Sequence, residues 1–211
     1  MKIVVSASSF ADVVAAKNVA DVIELRLDLF PTFPDENKLK GIGKPVIVTI
    51  RREKEGGRYS GDEERRLRNI VRYSLYADYV DLENDVEDEW FKAVRCKVIE
   101  SYHNFKETPN YEYLRDLVES RRGDVFKIAT MGRDRRDVLT IVRLLCEYDD
   151  LVAFLMGEKF AWTRVMALFL GSPFIYCTVS KSVAPGQLEA GKVRRILTTL
   201  GVEGLSSISR S

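Results

Sequence analysis

Short apolar runs rich in β-branched residues alternate along this chain with longer segments of helical periodicity. The apolar runs predict strands at 2–8, 22–28, 45–51, 79–83, 97–103, 125–131, 152–157 and 174–179. Helical patterns follow them at 9–19, 35–41, 61–77, 86–94, 110–121, 133–148, 162–170 and 186–200. Strands that each lead into a helix, with no long linker between them, are typical of parallel βαβ units.

Two architectures fit this alternation: a closed (β/α)8 TIM barrel and an open doubly wound sheet. The eight repeats favour the closed barrel, although 211 residues is close to the lower limit for that fold. No change in composition marks a domain boundary, so we predict a single α/β domain over residues 1–211.

Polar side chains recur at every second position of several strands, where a parallel strand buried on both faces would be apolar throughout. Glu24 and Arg26 alternate with leucines in the second strand, and Asp81 and Glu83 flank a leucine in the fourth. A period of two directs one face of each strand into the barrel. The pattern therefore predicts a polar interior near the carboxyl ends of the strands, where barrel enzymes carry their active sites.

Lys127 stands in the middle of the apolar strand at 125–131. Burial of a lysine disfavours its charged form and lowers its pKa. A neutral amine is a nucleophile for a carbonyl carbon and forms a Schiff base with it. The alternative interpretation is a structural lysine paired with Asp81, Glu83 or Glu24, and the residues alone leave both open.

His103, the only histidine in the chain, ends the strand before the one that holds Lys127. Adjacent parallel strands lie about 5 Å apart, so both side chains can reach one small ligand. Imidazole accepts and returns protons near neutral pH, which makes His103 a candidate acid and base. A structural, hydrogen-bonded histidine is the alternative.

The overall composition narrows the function classes. Lysine plus arginine (33) nearly equals aspartate plus glutamate (32), and this balance argues against nucleic-acid binding. The three scattered cysteines show no metal-binding spacing and favour a reducing cytosol. The apolar run at the amino terminus is too short for a signal peptide or a membrane span, so we expect a cytoplasmic protein without membrane partners.

Six segments, in order along nearly the whole chain, resemble one family. They are ELRLD (24–28), TIRREKEGG (49–57), VDLE (80–83), SYHNFKETP (101–109), FKIATM (126–131) and APGQ (184–187). Together they resemble type I 3-dehydroquinate dehydratase. The resemblance implies a (β/α)8 barrel that dehydrates 3-dehydroquinate to 3-dehydroshikimate through a lysine imine, in the shikimate pathway of aromatic amino acid biosynthesis.

The resemblance also implies roles for individual residues. Lys127 matches the imine-forming lysine, His103 the acid and base, and Glu55 a glutamate that orients or tunes the histidine. The matching substrate-binding positions are Ser6, Glu24, Arg26, Arg51, Arg164 and Gln187. Arginine suits a carboxylate through a two-pronged contact, so Arg164 is our choice for the substrate carboxylate.

The chain departs from the family pattern in two loops. Phe160 and Thr163 replace a glycine and a serine in the loop after the seventh strand, and Val183 replaces a serine before APGQ. One contact to a substrate hydroxyl or carboxylate is expected to change as a result. The glycines at 56, 57 and 61 suggest a mobile lid after the third strand, with a plain flexible loop as the alternative.

No cofactor or metal is expected, because a lysine imine supplies the carbonyl chemistry. The expected partner is a small-molecule substrate, and the family suggests a homodimer. Two alternatives from other classes stay open. One is a class I aldolase, which shares the lysine but usually needs phosphate-binding loops after the last two strands. The other is an inactive barrel that serves as a binding or assembly protein.

Overall fold

The computed structural model describes residues 1–179 and 186–202. Its strands are β1 (Lys2–Ala7), β2 (Val22–Arg26), β3 (Val46–Thr49), β4 (Tyr79–Glu83), β5 (Lys97–Asn104), β6 (Val125–Met131), β7 (Leu151–Met156), β8 (Phe174–Thr178) and β9 (Leu188–Glu189). Its helices are α1 (Phe10–Ala16), α2 (Asn37–Lys40), α3 (Glu63–Tyr73), α4 (Asp88–Ala93), α5 (Tyr111–Glu119), α6 (Arg135–Glu147), α7 (Trp162–Phe169) and α8 (Ala190–Thr199). Three short 3-10 turns lie at Leu27–Leu29, Glu53–Glu55 and Glu158–Phe160.

The strands form one curled parallel sheet in the order β7-β6-β5-β4-β3-β2-β1-β8-β9. Within the described ranges, no ladder joins β7 to β8, so hydrogen bonds close only part of the barrel. Side chains from both of these strands nevertheless meet in one apolar cluster, which includes Phe154 and Tyr176. The arrangement agrees with the predicted α/β barrel, with an open seam in its hydrogen bonding.

Side chains along each strand alternate between the barrel interior and the helical layer. In β6, Phe126 and Ile128 pack with residues of α5 and α6 on the outside. Val125 and Ala129 belong to the interior cluster. Because the side-chain period of a strand is two, Lys127 between them points into the barrel. The polar interior that the strand pattern predicts therefore includes this lysine.

Polar side chains start four of the helices. Ser9, Asp62, Asn110 and Asp134 accept backbone N–H groups at the first turns of α1, α3, α5 and α6. Such caps satisfy donors that have no partner inside the helix and contribute about 1 kcal/mol each. They fix where each helix begins, and with it the length of the loop that follows the preceding strand.

The main difference from the predicted elements lies near the carboxyl terminus. The pattern predicts one helix over 186–200, whereas the chain first adds β9 to the edge of β8 and begins α8 at Ala190. Leu188 in β9 pairs with Cys177, which ties this segment to the barrel wall. Residues 180–185, including the Val183 departure, lie outside the described part of the chain.

Candidate active site

One small cavity of about 90 Å³ lies inside the barrel, among side chains of seven strands and their following loops. Its lining includes every residue that the sequence predicts for the site: Ser6, Glu24, Arg26, Arg51, Glu55, His103, Lys127, Arg164 and Gln187. These positions span most of the chain length, so the fold brings them together. What each side chain does is decided by its contacts within this cavity.

Lys127 lies between an acid and an aromatic ring. Its Nζ is 2.5 Å from Oδ2 of Asp81 and 4.7 Å from the centre of the Tyr176 ring. The other carboxylate oxygen of Asp81 contacts Arg51 at 2.7 Å and accepts a hydrogen bond of 2.6 Å from Ser101. The lysine thus shares its counter-ion with a second cation.

This shared counter-ion affects the protonation of the lysine. Burial lowers the pKa of Lys127; Asp81 opposes that effect and the Arg51 charge adds to it. Burial alone would raise the pKa of Asp81, but Arg51 and Lys127 hold it well below its ordinary value. The carboxylate therefore stays ionised, while the amine loses its proton more readily than an exposed lysine does.

His103 faces Glu55 across the mouth of the cavity. Nδ1 of His103 is 3.1 Å from Oε2 of Glu55, and the imidazole ring stacks on Phe105 with centroids 6.4 Å apart. Glu55 ends the short turn Glu53–Glu55, and Gly56 follows with a left-handed φ of 76°. A side chain at position 56 would collide with the Phe105 ring, so glycine is required there on both grounds.

The pKa values of His103 and Glu55 move in opposite directions. Burial, together with the nearby Arg51 and Lys127 charges, holds the pKa of His103 well below its usual range. Burial raises the pKa of Glu55 to about 7 despite the opposing charge of Arg51. The histidine is therefore neutral over a wide pH range, and Glu55 changes its charge near neutrality.

Arg164 supplies a cation at the β7–β8 side of the cavity. It is buried on the first turn of α7, and its guanidinium carbon lies 3.9 Å from the centre of the Phe154 ring. Burial lowers the pKa of Arg164 to about 10. A cation held on an aromatic face in a low-dielectric site is suited to binding an anion from the cavity.

The two departures in the loop before Arg164 have structural consequences. The hydroxyl of Thr163 accepts the N–H of Leu155 at 3.1 Å and donates to the carbonyl of Phe160 at 2.7 Å. It is fully buried and lies outside the cavity lining. Phe160 packs against Gly132, where an added Cβ would lie only 2.5 Å from its ring. Thr163 therefore fastens α7 to β7, and it leaves the cavity wall unchanged.

A chain of side-chain hydrogen bonds forms the wall around Glu24. Its carboxylate accepts the hydroxyls of Ser6 at 2.5 Å and Thr49 at 2.8 Å, and the Gln187 amide donates to Ser6 at 3.2 Å. Arg26, on the same strand as Glu24, pairs with Asp28 through two bonds of 2.9 and 2.8 Å.

Most of the contacts of the Arg51 guanidinium are to other protein side chains. Besides Asp81, its guanidinium contacts Glu83 at 3.1 Å and donates to Ser101 at 2.9 Å. Glu83 is in turn 2.9 Å from the fully buried Arg66 of α3. Arg51 lines the cavity, but its main contacts hold the buried acids in place.

Sequence reasoning missed the apolar and aromatic part of the lining. Phe105, Ala129, Phe154, Met156 and Tyr176 all face the cavity. They stand in apolar runs, where an interior position and a helix-facing position carry the same kind of residue. The period of two is the signal that was present: Tyr176 lies two residues after Phe174, on the interior face of β8.

The fold and the cavity together define an α/β-barrel enzyme in which a lysine and a histidine face one small ligand site. Among residues 1–179 and 186–202, no cluster of three or more histidine, cysteine, aspartate or glutamate side chains is arranged to hold a metal ion. In the same ranges, no helix is long and apolar enough to cross a membrane.

The comparisons with known proteins identify the family. The family model of type I 3-dehydroquinase matches residues 6–203. A 3-dehydroquinate dehydratase of Archaeoglobus fulgidus is 51% identical over 95% of this chain and 100% of its own, and one of Methanopyrus kandleri is 39% identical over 89% and 91%. The crystal structure of 3-dehydroquinate dehydratase from Aquifex aeolicus has a TM-score of 0.80 at 28% identity and covers 97% of this chain and 100% of its own. The chain belongs to the type I 3-dehydroquinase family.

Family membership confirms the predicted barrel fold and supports 3-dehydroquinate dehydratase activity, which is that of a hydro-lyase.

Proposed function

We propose that this protein dehydrates 3-dehydroquinate to 3-dehydroshikimate by way of an imine on Lys127. The observation that carries the proposal is a buried amine beside Asp81, on the same interior face as His103 one strand away. An amine whose pKa is lowered by burial is suited to attack a ketone. This reaction would give the protein its place in the shikimate pathway.

The first step forms the covalent link. The neutral Nζ of Lys127 adds to the C3 carbonyl carbon of the substrate, and the carbonyl oxygen takes up protons and leaves as water. The product is an iminium ion, in which the positive nitrogen withdraws electrons from the neighbouring C2–H bond. Asp81 stays ionised beside this nitrogen and offsets its positive charge.

The second step is the elimination, and His103 carries its proton. The imidazole takes the C2 proton, and the bonding electrons form an enamine with the nitrogen. The imidazolium then returns that proton to the C1 hydroxyl, which leaves as water while the C1–C2 double bond forms. One histidine serves both transfers, so proton and hydroxyl leave from the same face in a syn elimination. Hydrolysis of the iminium releases the product and restores Lys127.

Glu55 and Arg164 support these steps from two sides of the cavity. The Glu55 carboxylate accepts the Nδ1 proton of His103 at 3.1 Å, which leaves Nε2 unprotonated as the base. Arg164 binds the substrate carboxylate, and the Ser6, Glu24 and Gln187 chain offers partners to the substrate hydroxyls. The cavity therefore fits a small anion rich in hydroxyl groups better than a phosphorylated sugar.

The dehydration assay tests this function most simply. Purified protein with 3-dehydroquinate should produce the conjugated enone of 3-dehydroshikimate, followed by its ultraviolet absorbance. Lys127→Ala should remove the activity, whereas Lys92→Ala, on the exposed face of α4, should keep it. Turnover by folded Lys127→Ala at the wild-type rate would overturn the imine route, and absence of turnover in the wild type would overturn the function.

The homodimer and the cytoplasmic location expected from the sequence stay predictions. Sedimentation of the purified protein measures the first, and cell fractionation the second.

A further inference from the structure

Four interior residues from alternate strands form a polar layer inside the barrel. They are Glu24 of β2, Asp81 of β4, Lys127 of β6 and Tyr176 of β8. In this polar layer, Lys127 lies 2.5 Å from Asp81 and 4.7 Å from the centre of the Tyr176 ring. Packing of side chains from alternate strands into layers is the usual way a barrel interior is filled.

An apolar layer lies on the amino-terminal side of this polar layer. It is built from the intervening strands, by Val4, Ile47, Ile99 and Val152, all of them buried. Tyr176 of β8 pairs in register with Val4 of β1, and both residues belong to the interior apolar cluster. The tyrosine therefore sits where the polar site meets the packed apolar core.

The hydroxyl of Tyr176 is buried without a hydrogen-bond partner in the part of the chain that the structure describes. Its oxygen exposes less than 1 Å² of surface, too little for contact with a water molecule in the observed packing. A buried hydroxyl that lacks a partner destabilises the folded state. A phenylalanine would fill the same space without this cost, so the hydroxyl calls for an explanation.

The Tyr176 hydroxyl holds its proton more firmly than an exposed phenol does. Burial raises the pKa of Tyr176 well above its ordinary value, and the negative charges of Glu24 and Asp81 raise it further. A phenol in the same layer as two carboxylates keeps its proton, and their negative charge favours a hydrogen bond from its hydroxyl to one of them. In the resting enzyme, Lys127 already occupies Oδ2 of Asp81.

We propose that Tyr176 is a positioning residue whose hydroxyl takes over from Lys127 as the hydrogen-bond donor to Asp81 once the lysine is bonded to substrate. The inference rests on the proposed imine at Lys127. When the neutral Nζ bonds to the carbonyl carbon, it keeps one of its two protons as the iminium N–H and shifts toward the substrate. Asp81 then keeps Arg51 and Ser101 on one oxygen and needs a donor on the other.

This exchange stabilises the covalent intermediates relative to the free enzyme. Among the described residues, the hydroxyl has no hydrogen-bond partner in the resting state, and it would gain one charge-assisted bond in the imine state, so its contribution appears on imine formation. A structural tyrosine would do the opposite, because its hydroxyl would support the free fold and leave the reaction unaffected. The two roles are therefore separable by experiment.

The test compares Tyr176→Phe with the wild type and with Tyr79→Phe, which makes the same change at the start of β4 outside the cavity lining. Three quantities are measured: the Tm of the free enzyme, kcat/KM for 3-dehydroquinate, and the rate of borohydride inactivation at subsaturating substrate. For Tyr176→Phe, kcat/KM and the inactivation rate should each fall about tenfold, as expected for loss of a hydrogen bond to a charged group. The Tm of the free enzyme should stay equal or rise.

A further measurement follows the covalent state itself. After borohydride reduction, the gain in Tm over the free enzyme should be smaller in Tyr176→Phe than in the wild type and in Tyr79→Phe. A lower free-enzyme Tm with unchanged kcat/KM would overturn the inference, and so would an unchanged inactivation rate. If the wild type forms no adduct with borohydride and substrate, the proposed imine fails and the inference with it. If the wild type reacts and Tyr176→Phe reacts equally fast, only the inference fails.

Discussion

Oε2 of Glu55 lies 3.1 Å from Nδ1 of His103, at the mouth of a cavity whose floor holds the lysine. Of these two residues, Glu55 is the one that changes its charge near neutral pH, because its pKa is raised to about 7 while the pKa of His103 is held well below its usual range. The ionised Glu55 accepts the Nδ1 proton and leaves Nε2 as a base. The protonated Glu55 donates to Nδ1 instead and removes that base. The protonation of Glu55 therefore selects the tautomer of His103.

The first prediction concerns the pH dependence of activity. The kcat/KM of the wild type should fall as pH drops below about 7, with Glu55 as the titrating group. In Glu55→Gln, whose amide does not titrate, this limb should move to lower pH and the maximal rate should drop roughly tenfold. Glu53→Gln, an exposed change in the same turn, should keep the wild-type profile. The same acidic limb in Glu55→Gln and the wild type would rule out Glu55 as the titrating group.

The same carboxyl predicts how stability depends on pH. Its pKa is raised in the folded state, so between about pH 4.5 and 7 the native protein holds a proton that the unfolded chain has released. The stabilisation of the folded state by this bound proton is complete below about pH 4.5 and is lost as pH rises through 7. Glu55→Gln should therefore gain Tm over the wild type at pH 8 and show little difference at pH 4.5. Equal differences at both pH values would contradict the assignment.

A third prediction separates the histidine from the lysine. His103→Ala should still form the borohydride-trapped adduct, because Lys127 and Asp81 remain in place. Elimination should slow by about 10²- to 10⁴-fold, the usual contribution of a positioned acid–base group. Single-turnover kinetics with mass detection would show the adduct accumulate ahead of product. Near-normal turnover in this variant would remove His103 from the mechanism.

A fourth prediction places the substrate carboxylate. Arg164→Gln should raise KM by roughly 10- to 100-fold, the range for a hydrogen bond to a charged group. An analogue of the substrate without its carboxylate should bind the wild type weakly, and Arg164→Gln should weaken its binding no further. Arg143→Gln on the exposed face of α6 is the matched control. If Arg164→Gln weakened binding of the substrate and of this analogue equally, Arg164 would have only a structural role.

Much of this architecture was predictable because the relevant signals are periodic. Alternation of two in the strands identified which face of β2, β4, β5 and β6 lies inside, and the strand order brought their polar residues to one end. Lys127 in an apolar strand and His103 at a strand end are chemically conspicuous, so their position relative to each other was deducible before any contact was known.

Other features left weaker signals or none. Tyr176 and Phe154 belong to runs that are apolar on both faces, so only the period of two, without any change in polarity, indicated that they face the interior. The pairing of Arg26 with Asp28 depends on the turn after β2, where the chain forms a 3-10 segment. This segment is too short to produce a periodic sequence pattern. The strand β9 is two residues long, too short for any pattern to indicate. These features were hard to predict because both strand faces are apolar, because the turn geometry is local, and because β9 is short.

The proposed mechanism depends most on a covalent bond between Lys127 and the substrate. The direct measurement is borohydride reduction of the enzyme with 3-dehydroquinate, followed by digestion and mass spectrometry of the peptide containing residues 125–131. An imine on Lys127 predicts an adduct on this residue in the wild type and in His103→Ala, and none in Lys127→Ala. An active wild-type enzyme that carries no adduct, or carries it on another lysine, would contradict it.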